Sequence, residues 1–289
     1  MSSVSPERLA QLLKAPVVDV TAIGGGDICE ARRARLADGR TVFVKSRSDA
    51  PAGFFIAESR GLRRLGAVAD GVRVPAVLGV DDDRLVLEWV DTGAPTAVAA
   101  ERFGRALATT HRDGAAEFGS SDGDGWIGRL ELPGGPWQDW TEMWSQGRLL
   151  PYLLAARAAG TIGRRDADDV ESVLAELPRL AGPPEPPALI HGDLWAGNVL
   201  WGADGVNRIV DPAAHGGHRE TDLAMLALFG LPHLDRALAA YREAWPLAEG
   251  WRRRVALHQL HPVLVHTVLF GGSYGARAGR LARAALRAA

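Results

Sequence analysis

The stretch LIHGDLWAGNVLW, from Leu189 to Trp201, is the most informative part of this chain. It places His191, Asp193 and Asn198 between two apolar flanks. The spacing from the Asp to the Asn matches the catalytic loop of protein kinases, in which the Asp accepts the proton of a substrate hydroxyl and the Asn binds a metal ion. We therefore predict that the flanks are strands and packing surface, which hold this loop at the floor of a cleft between two lobes.

A second carboxylate follows shortly after this loop. The segment NRIVDP reads as an apolar strand that ends in Asp211. Carboxylate and amide oxygens are the hard ligands that Mg²⁺ prefers, and phosphoryl transfer needs cations near the β- and γ-phosphates. The sequence therefore predicts that Asp193 is the base and that Asn198 and Asp211 hold Mg²⁺.

Lys45 is one of only two lysines in the chain, although Lys and Arg together number 33. Because Arg serves wherever a generic positive charge is enough, this Lys indicates a need for a compact ammonium group. It follows Gly24, Gly25 and Gly26, whose backbone amides could approach a phosphate closely. Glu58 lies thirteen residues further on and could pair with Lys45. An ordinary hairpin turn, a surface Lys and a solvated carboxylate remain the alternatives.

The rest of the chain divides into a β-rich first part and a helical second part. Strand patterns fill residues 17–46, a helix is predicted from Phe54 to Leu65, and a hairpin surrounds Asp81–Asp83. Further helices are predicted over residues 96–113, 136–160, 166–180, 219–229, 233–245 and 250–289. We predict a two-lobed α+β fold of the protein-kinase-like type, with a nucleotide-binding lobe over residues 1–90 and a mainly helical catalytic and substrate-binding lobe over residues 91–289.

Composition excludes several classes of function. The formal net charge of −2 gives no basic surplus for nucleic acid. No apolar run approaches membrane-spanning length, and the first residues contain no apolar signal core, so we expect no membrane partner and a cytoplasmic location. The single cysteine, Cys29, excludes an internal disulfide and any multi-cysteine metal site.

Three other motifs imitate catalytic signatures but lack their partners. HRDG at His111–Gly114 has no Asn five residues after its Asp, and GGSYG at Gly271–Gly275 has no acid or His after its Ser. DGDG at Asp122–Gly125 lacks the later Glu of a calcium loop. None of the remaining histidines has metalloprotease spacing, so we expect a structural or solvated role for His215, His218, His258, His261 and His266.

Together, these residues resemble the fructosamine kinase, or ketosamine-3-kinase, family, which belongs with the aminoglycoside phosphotransferase-like kinases. The resemblance rests on HGDLWAGNVLW and DPAAHGGHRETDLAMLALFG. It extends to GGGDICEARRARLADGRTVFVK, FFIAESRGLRRL, RVPAVLG, WIGRLELPGGPWQDW and FGGSYG, in that family's order. The residues Leu194 and Trp195 inside the catalytic motif are typical of the ketosamine branch.

The resemblance implies ATP-dependent phosphorylation of the 3-hydroxyl of a ketosamine, free or protein-bound, as a step that removes early glycation. It implies that Lys45, oriented by Glu58, meets the α- and β-phosphates of ATP. By the same resemblance Trp195 stacks on the sugar, with packing in the core as the alternative, while His191 and Asp222 support the catalytic loop. The hinge that offers backbone groups to adenine would consist of Glu88, Trp89 and Val90.

The chain departs from the family pattern near the expected sugar site. Ala196 stands where the branch usually has Ser, and small residues surround His215 where the branch has aromatic ones. These departures leave the identity of the sugar and the amine open. Another small-molecule kinase of the aminoglycoside or choline type is one alternative. A nucleotide-binding pseudokinase is another, although no Lys, base or metal ligand is missing.

Cys29 follows the glycine turn, and a thiol there could be oxidised or bridged to a second chain, which would block ATP. A small buried residue in a strand is the alternative. We therefore expect a monomer, with a redox dimer through Cys29 as a hypothesis.

Overall fold

The first part of the chain forms a five-stranded antiparallel sheet. The computed structural model describes residues 5–24 and 28–288. The strands are β1 (Val17–Ile23), β2 (Glu30–Leu36), β3 (Thr41–Ser46), β4 (Val77–Asp81) and β5 (Arg84–Glu88). Two helices accompany the sheet, α1 (Pro6–Leu13) and α2 (Phe54–Gly66). The strand order in the sheet is β1-β2-β3-β5-β4, and the predicted hairpin around Asp81–Asp83 is β4–β5.

The alternation of β3 determines where Lys45 points. Side chains of a strand face opposite sides of the sheet in turn. Val42 and Val44 are fully buried in a small core with Leu9 and Leu36, whereas Lys45 lies on the other face. This second face looks toward the helical part of the chain, so the alternation turns the ammonium away from the valine core.

Helix α2 joins the sheet to the segment that follows Asp211. Its apolar side chains, including Phe55 and Leu62, pack with the inner face of the sheet. On the side facing the second part of the chain, a Cβ added to Gly61 would lie 3.2 Å from Ala214 Cβ and 3.3 Å from Pro212 Cγ. The absence of a side chain here therefore lets α2 approach that segment closely.

The second part is mainly helical. Its helices are α3 (Ala97–Asp113), α4 (Trp140–Glu142), α5 (Leu150–Ala158), α6 (Arg164–Leu180), α7 (Glu220–Phe229), α8 (Leu234–Ala244), α9 (Trp251–His258), α10 (Leu260–Phe270) and α11 (Tyr274–Arg287). A π-helical segment, Met143–Leu149, connects α4 to α5. The segment predicted as helical over residues 250–289 is therefore broken into three helices. Gly271 and Gly272, both at positive φ, end α10.

Short strand pairs frame the catalytic loop. They are β8 (Ala188–Ile190) with β11 (His215–Gly217), and β9 (Val199–Trp201) with β10 (Asn207–Ile209). The loop runs from the end of β8 to the start of β9, as its apolar flanks predicted. The expectation that the later strand ends in Asp211 was wrong by two residues. The strand stops at Ile209, and Asp211 adopts φ 56°, a conformation outside any strand.

A further hairpin, β6 (Gly125–Ile127) with β7 (Leu130–Leu132), was not predicted. Its turn lies between the two parts, since a Cβ at Gly128 would be 3.0 Å from both Ile28 and Leu269. The segment between Glu88 and Ala97 connects the sheet to the helices. None of the helices described between residues 5 and 288 is long and apolar enough to cross a membrane.

Taken together, the fold is α+β, with a β-sheet part followed by a helical part. This agrees with the fold class predicted from the sequence. The division into lobes at residue 90 stays a prediction.

Candidate active site

A cleft of about 1260 Å³ lies between the sheet and the helical part. Binding sites for small molecules typically occupy about 300–1,000 Å³, so this cleft has room for two ligands side by side. Its walls include Lys45, Glu58, Asp193, Asn198 and Asp211. The fold therefore brings into one cavity five side chains that are up to 166 residues apart in the chain.

Lys45 lies between two carboxylates. Its Nζ is 2.9 Å from Oε2 of Glu58 and 3.1 Å from Oδ1 of Asp211. Burial alone would lower the pKa of Lys45, but the negative charges of Asp211 and Glu58 outweigh burial and raise it. The ammonium therefore stays protonated, and it is held at the point where α2 and the segment around Asp211 meet.

Asp193 and Asn198 contact each other across the tight loop. The amide Nδ2 of Asn198 donates to the backbone oxygen of Asp193 at 2.9 Å and to its Oδ2 at 3.3 Å. This leaves the amide oxygen of Asn198 as an available acceptor. Burial, and then the charge of Asp211, raise the pKa of Asp193 to about 7. A carboxylate with such a pKa is suited to take up a proton near neutral pH.

Asp211 has an uncommon backbone conformation. Its φ of 56° is in the left-handed region, which Asp tolerates better than most residues. Such conformations often occur at functional sites. The side chain is 43% exposed, and it lines the same cleft as Asp193 and Asn198. Two carboxylates and one amide thus line one cleft, and their oxygens are of the type that binds a hard divalent cation.

The backbone of the catalytic loop is held by Asp222. This buried carboxylate accepts hydrogen bonds from the backbone amides of His191 at 2.7 Å and Gly192 at 3.0 Å. His191 in turn accepts from the amide of Asp193 at 3.2 Å, and its Nε2 bonds to Val210 O at 2.9 Å. The two residues therefore fix the base and the segment before Asp211 together.

Gly192 is required at its position. Its φ is 81°, and a Cβ there would collide with the carbonyl oxygen of Ala213. Only glycine adopts this conformation without steric cost. The close approach brings the catalytic loop directly onto the segment after Asp211.

His111 belongs to this support, a role that the sequence did not reveal. Its Nε2 is 3.1 Å from Oδ2 of Asp222, and its Nδ1 is 2.9 Å from the hydroxyl of Tyr241. His111 lies in the last turn of α3. Its partner is 111 residues away, so only a sequence signal of long-range pairing could have found it.

An aromatic wall covers one side of the cleft. Trp195 is 38% exposed, and its ring meets Phe229 edge-on at 5.7 Å. His266 packs on Phe229 at 5.4 Å and on Tyr274 at 5.0 Å. Phe270, which is 49% exposed, completes the wall. The sequence indicated a substrate contact only for Trp195, because the other members come from three different helices.

The predicted hinge also lines the cleft. Glu88, Trp89 and Val90 are all part of its wall. The backbone amide of Glu88 already donates to Ala76 O at 2.9 Å. A ligand would therefore have to bond to backbone groups that follow Glu88 in the chain. Trp89 Nε1 donates to Asp91 at 3.0 Å.

Of the three glycines predicted to approach phosphate, only one is described. Gly24 lines the cleft, whereas Gly25 and Gly26 lie outside the described residues. Cys29 also lines the cleft, and burial raises the pKa of its thiol to about 11. The thiolate, which is the reactive form, is therefore disfavoured at neutral pH.

The fold of this molecule is that of a protein-kinase-like phosphotransferase. A crystal structure of a thermostable mutant of aminoglycoside phosphotransferase APH(4)-Ia, in a ternary complex with AMP-PNP and hygromycin B, is similar over 98% of both chains. Its TM-score is 0.69 at 18% identity. At this identity the likeness shows the fold alone.

Within that class, the chain belongs to the fructosamine kinase family, whose model matches residues 2–288. A crystal structure of a candidate fructosamine-3-kinase from Thermobifida fusca is 51% identical, with a TM-score of 0.93 over 99% of both chains. A protein of Enterococcus faecium named a probable ketoamine kinase is 33% identical over 91% of this chain and 93% of its own length. One with that same name from Thermus thermophilus is 36% identical over 86% and 87%. These relatives confirm the resemblance read from the sequence.

Proposed function

We propose that this kinase transfers the γ-phosphoryl group of ATP to the 3-hydroxyl of a ketosamine. The observation that carries the proposal is that Lys45, Asp193 and Asp211 line the same cleft as the aromatic wall around Trp195. One half of the cleft is charged, as phosphates require, and the other half offers ring faces, on which sugars commonly stack. The names of the curated relatives, as ketoamine kinases, support the acceptor.

Asp193 is the proposed catalytic base. The 3-hydroxyl oxygen attacks the γ-phosphorus of ATP, a new P–O bond forms, and the bond to the β,γ-bridging oxygen breaks to release ADP. Asp193 accepts the hydroxyl proton. The hydrogen bond from Asn198 and the support of Asp222 behind the loop hold the carboxylate in one orientation.

Lys45 is the proposed partner of the α- and β-phosphates. Its ammonium already contacts two carboxylates, so it can exchange the bond to Asp211 for one to a phosphate while Glu58 keeps it in place. The backbone of Trp89 and Val90 is proposed to meet the adenine, with Gly24 on the phosphate side. The AMP-PNP complex of the APH(4)-Ia neighbour supports ATP as the donor.

Asn198 and Asp211 are the proposed ligands of Mg²⁺. Both present oxygen atoms to the cleft, and hard oxygen ligands are those that Mg²⁺ selects. When bound, the ion supplies neutralisation of the charge on the β- and γ-phosphates. The donor set fits such an ion because no soft sulfur ligand lies among these residues.

Phosphorylation of a ketosamine at this hydroxyl would destabilise the adduct, which makes deglycation of amines or proteins the proposed role. A cytoplasmic location and a monomeric state remain predictions from the sequence. The departures at Ala196 and His215 lie next to Trp195 and the catalytic loop, where they would affect the choice of sugar or amine.

The test is ADP release with Mg-ATP and a panel of ribulosyl- and fructosyl-amines, with kanamycin and choline as controls. Phosphorus NMR of the product should place the phosphate on O3. Turnover of ketosamines alone supports the proposal. Turnover of a control alone would move the acceptor to the aminoglycoside or choline class, and ATP binding without any turnover would indicate a pseudokinase.

A further inference from the structure

The position of Glu58 beside Lys45 depends on the placement of the whole helix α2. Oε2 of Glu58 accepts from Lys45 at 2.9 Å, and its Oε1 has no donor among the described residues, although the side chain is buried. The helix begins after Gly53, which has no side chain to cap the first turn. The location of the carboxylate is therefore set by the elements that pack against α2.

One stripe of α2 lines the cleft and makes three separate contacts. Phe54, Glu58 and Gly61 are four and three residues apart, so they lie on the same face of the helix. At the end of this stripe, a Cβ on Gly61 would lie 3.3 Å from Pro212 Cγ. At its start, the ring of Phe54 lies 5.7 Å from the ring of Trp126. The carboxylate is thus between two points at which α2 meets the second part of the chain.

Trp126 lies on β6, the first strand of the β6–β7 hairpin. Successive side chains of a strand face opposite sides. Trp126 packs with the apolar cluster of the sheet part, which includes Phe54 and Leu62. The next residue, Ile127, is buried together with Leu132 in the core of the helical part. This short strand therefore connects the two cores across the cleft.

The hairpin itself is fixed to the helical part. The hydroxyl of Tyr152, in α5, donates to Glu131 O at 2.7 Å. Nη2 of Arg129 donates to Leu269 O, in α10, at 2.9 Å. Both bonds go from β7 or the hairpin turn to helices of the second part, so Trp126 contacts α2 from a support that belongs to the helical part.

We propose that Trp126 is a positioning residue for phosphoryl transfer and that it acts through Glu58. By packing on Phe54 it holds the first turn of α2, so that Glu58, one turn further on, keeps Lys45 at the phosphates. This rests on the proposed function, in which Lys45 meets the α- and β-phosphates of ATP. In this role Trp126 makes no contact with the reacting groups.

Two other contacts at this side of α2 do not replace the one from Trp126. The ion pair between Arg60 and Asp122 is 3.7 Å long, and its side chains are 43% and 58% exposed. Exposed pairs of this kind contribute little to stability. Arg47 lies over the ring of Phe54 at 5.3 Å, but it directly follows β3 and so belongs to the sheet part. Trp126 is thus the ring that connects the first turn of α2 to the helical part.

The test is a double-mutant cycle on kcat/KM for ATP, formed by Trp126→Ala and Glu58→Gln. ADP release is measured with a ribulosyl- or fructosyl-amine as the acceptor. Trp126→Ala should lower kcat/KM for ATP by about tenfold to 100-fold, because a displacement of about 1 Å near the reacting groups can cost a factor of that size. In the Glu58→Gln background the same substitution should cost less than about twofold, because the residue through which it acts is already changed.

Two further variants separate positioning from the filling of space. Trp126→Phe keeps a ring against Phe54 and should recover most of the lost kcat/KM. Trp251→Ala removes another half-buried tryptophan, which lies outside the cleft, and it should leave kcat/KM for ATP unchanged. All kinetics are measured at a temperature at which the melting curve of each variant shows a folded protein. In every variant at Trp126, KM for the ketosamine should stay close to that of the wild type.

Unchanged kinetics in Trp126→Ala, or losses that multiply in the double variant, would overturn the positioning role and leave the kinase function intact. A change confined to KM for the ketosamine would also overturn it, since Trp126 would then contact the acceptor. No turnover of any ketosamine by the wild type would contradict the proposed function instead. In that case the same cycle is measured on the affinity for ATP, by calorimetric titration without an acceptor. A loss of affinity in Trp126→Ala that is absent in the Glu58→Gln background supports the positioning role. An equal loss in both backgrounds, or no loss in either, contradicts it.

Discussion

Two buried ionic clusters in this molecule invite comparison. In the cleft, Lys45 contacts two carboxylates, Glu58 and Asp211. In the helical core, Arg254 makes a two-pronged bond to a single carboxylate, Glu220, at 2.6 Å and 2.9 Å. The first cluster has more acid than base and opens to the cleft, whereas the second is matched in charge.

The second cluster could be mistaken for a metal site. His218, Glu220 and His258 place three ligand atoms within 4.8 Å of one another. However, Arg254 already occupies both oxygens of the carboxylate, and Trp140 packs on both imidazoles, at 5.1 Å and 4.9 Å. Burial and proximity of charges therefore do not by themselves mark a functional site. Excess charge that faces an accessible cavity is the distinguishing property.

The sharpest test of the cleft cluster is Asp193→Asn. It removes the base but leaves Lys45, Asn198 and Asp211 unchanged. We expect ATP binding to persist and turnover to fall by about 1000-fold, since general base catalysis contributes roughly 10²–10⁴ in rate. ADP release and calorimetric titration with ATP measure the two quantities. Turnover within tenfold of the wild type would disprove the assignment. Asp204→Asn, an exposed change outside the cleft, is the matched control.

The core cluster should respond in stability and not in catalysis. Arg254→Met leaves the charge of Glu220 buried without its main partner. Breaking a buried pair in this way costs about 3–5 kcal/mol. Urea unfolding should show this loss, whereas KM for ATP at a temperature where the variant is folded should stay close to that of the wild type. A large change in KM with little change in stability would reverse the distinction between the clusters.

The sequence revealed the parts of the site that are encoded locally. Asp193 and Asn198 were found from their spacing, and Lys45 was found because it is rare and lies at the end of a strand. The strand before Asp211 was placed correctly but ended two residues too late, since apolar character alone does not show where strand pairing stops.

The parts that depend on distant contacts were not found. His111 supports Asp222 across 111 residues, and the aromatic wall joins side chains of α7, α10 and α11. Arg148 resembles any other helical arginine in sequence. Only its burial distinguishes it, because Arg148 is 1% exposed and has no carboxylate oxygen within 4.0 Å among the described residues.

Lys45→Arg tests whether the cleft needs a compact cation or only a positive charge. The ammonium lies within 3.1 Å of two carboxylates, and its side chain is only 13% exposed. A planar guanidinium is larger and cannot occupy this position without displacing Glu58. We expect kcat/KM for ATP to fall by about tenfold to 100-fold, a smaller loss than from removal of the base. Lys14→Arg, at the only other lysine and on the surface, should leave kcat/KM unchanged.

The smallest effect is expected from a substitution in the aromatic core beside the second cluster. There His261 packs on Trp144 and Tyr152. Burial, and then the charge of Arg148, lower the pKa of this imidazole well below its usual 6.5. The unfolded chain therefore binds a proton on His261 at a pH where the folded chain does not. As a result, the contribution of His261 to the free energy of unfolding is fully present above about pH 6.5, and it decreases as the pH falls below that value.

His261→Phe removes this titration and the unsatisfied Nε2 while keeping a ring of similar size. Between pH 6.5 and 5, the free energy of unfolding should decrease less steeply in the variant, by at most about 1.4 kcal/mol per pH unit. Urea unfolding at several pH values in this range measures the slope. The range ends above 4.5, the ordinary pKa at which Glu220 titrates in the unfolded chain, so this carboxylate contributes little to the measured slope. Parallel curves of unfolding free energy against pH for the two proteins would show that His261 is also protonated in the folded chain. The core around His261 would then have to accommodate a charge as well as the cleft does.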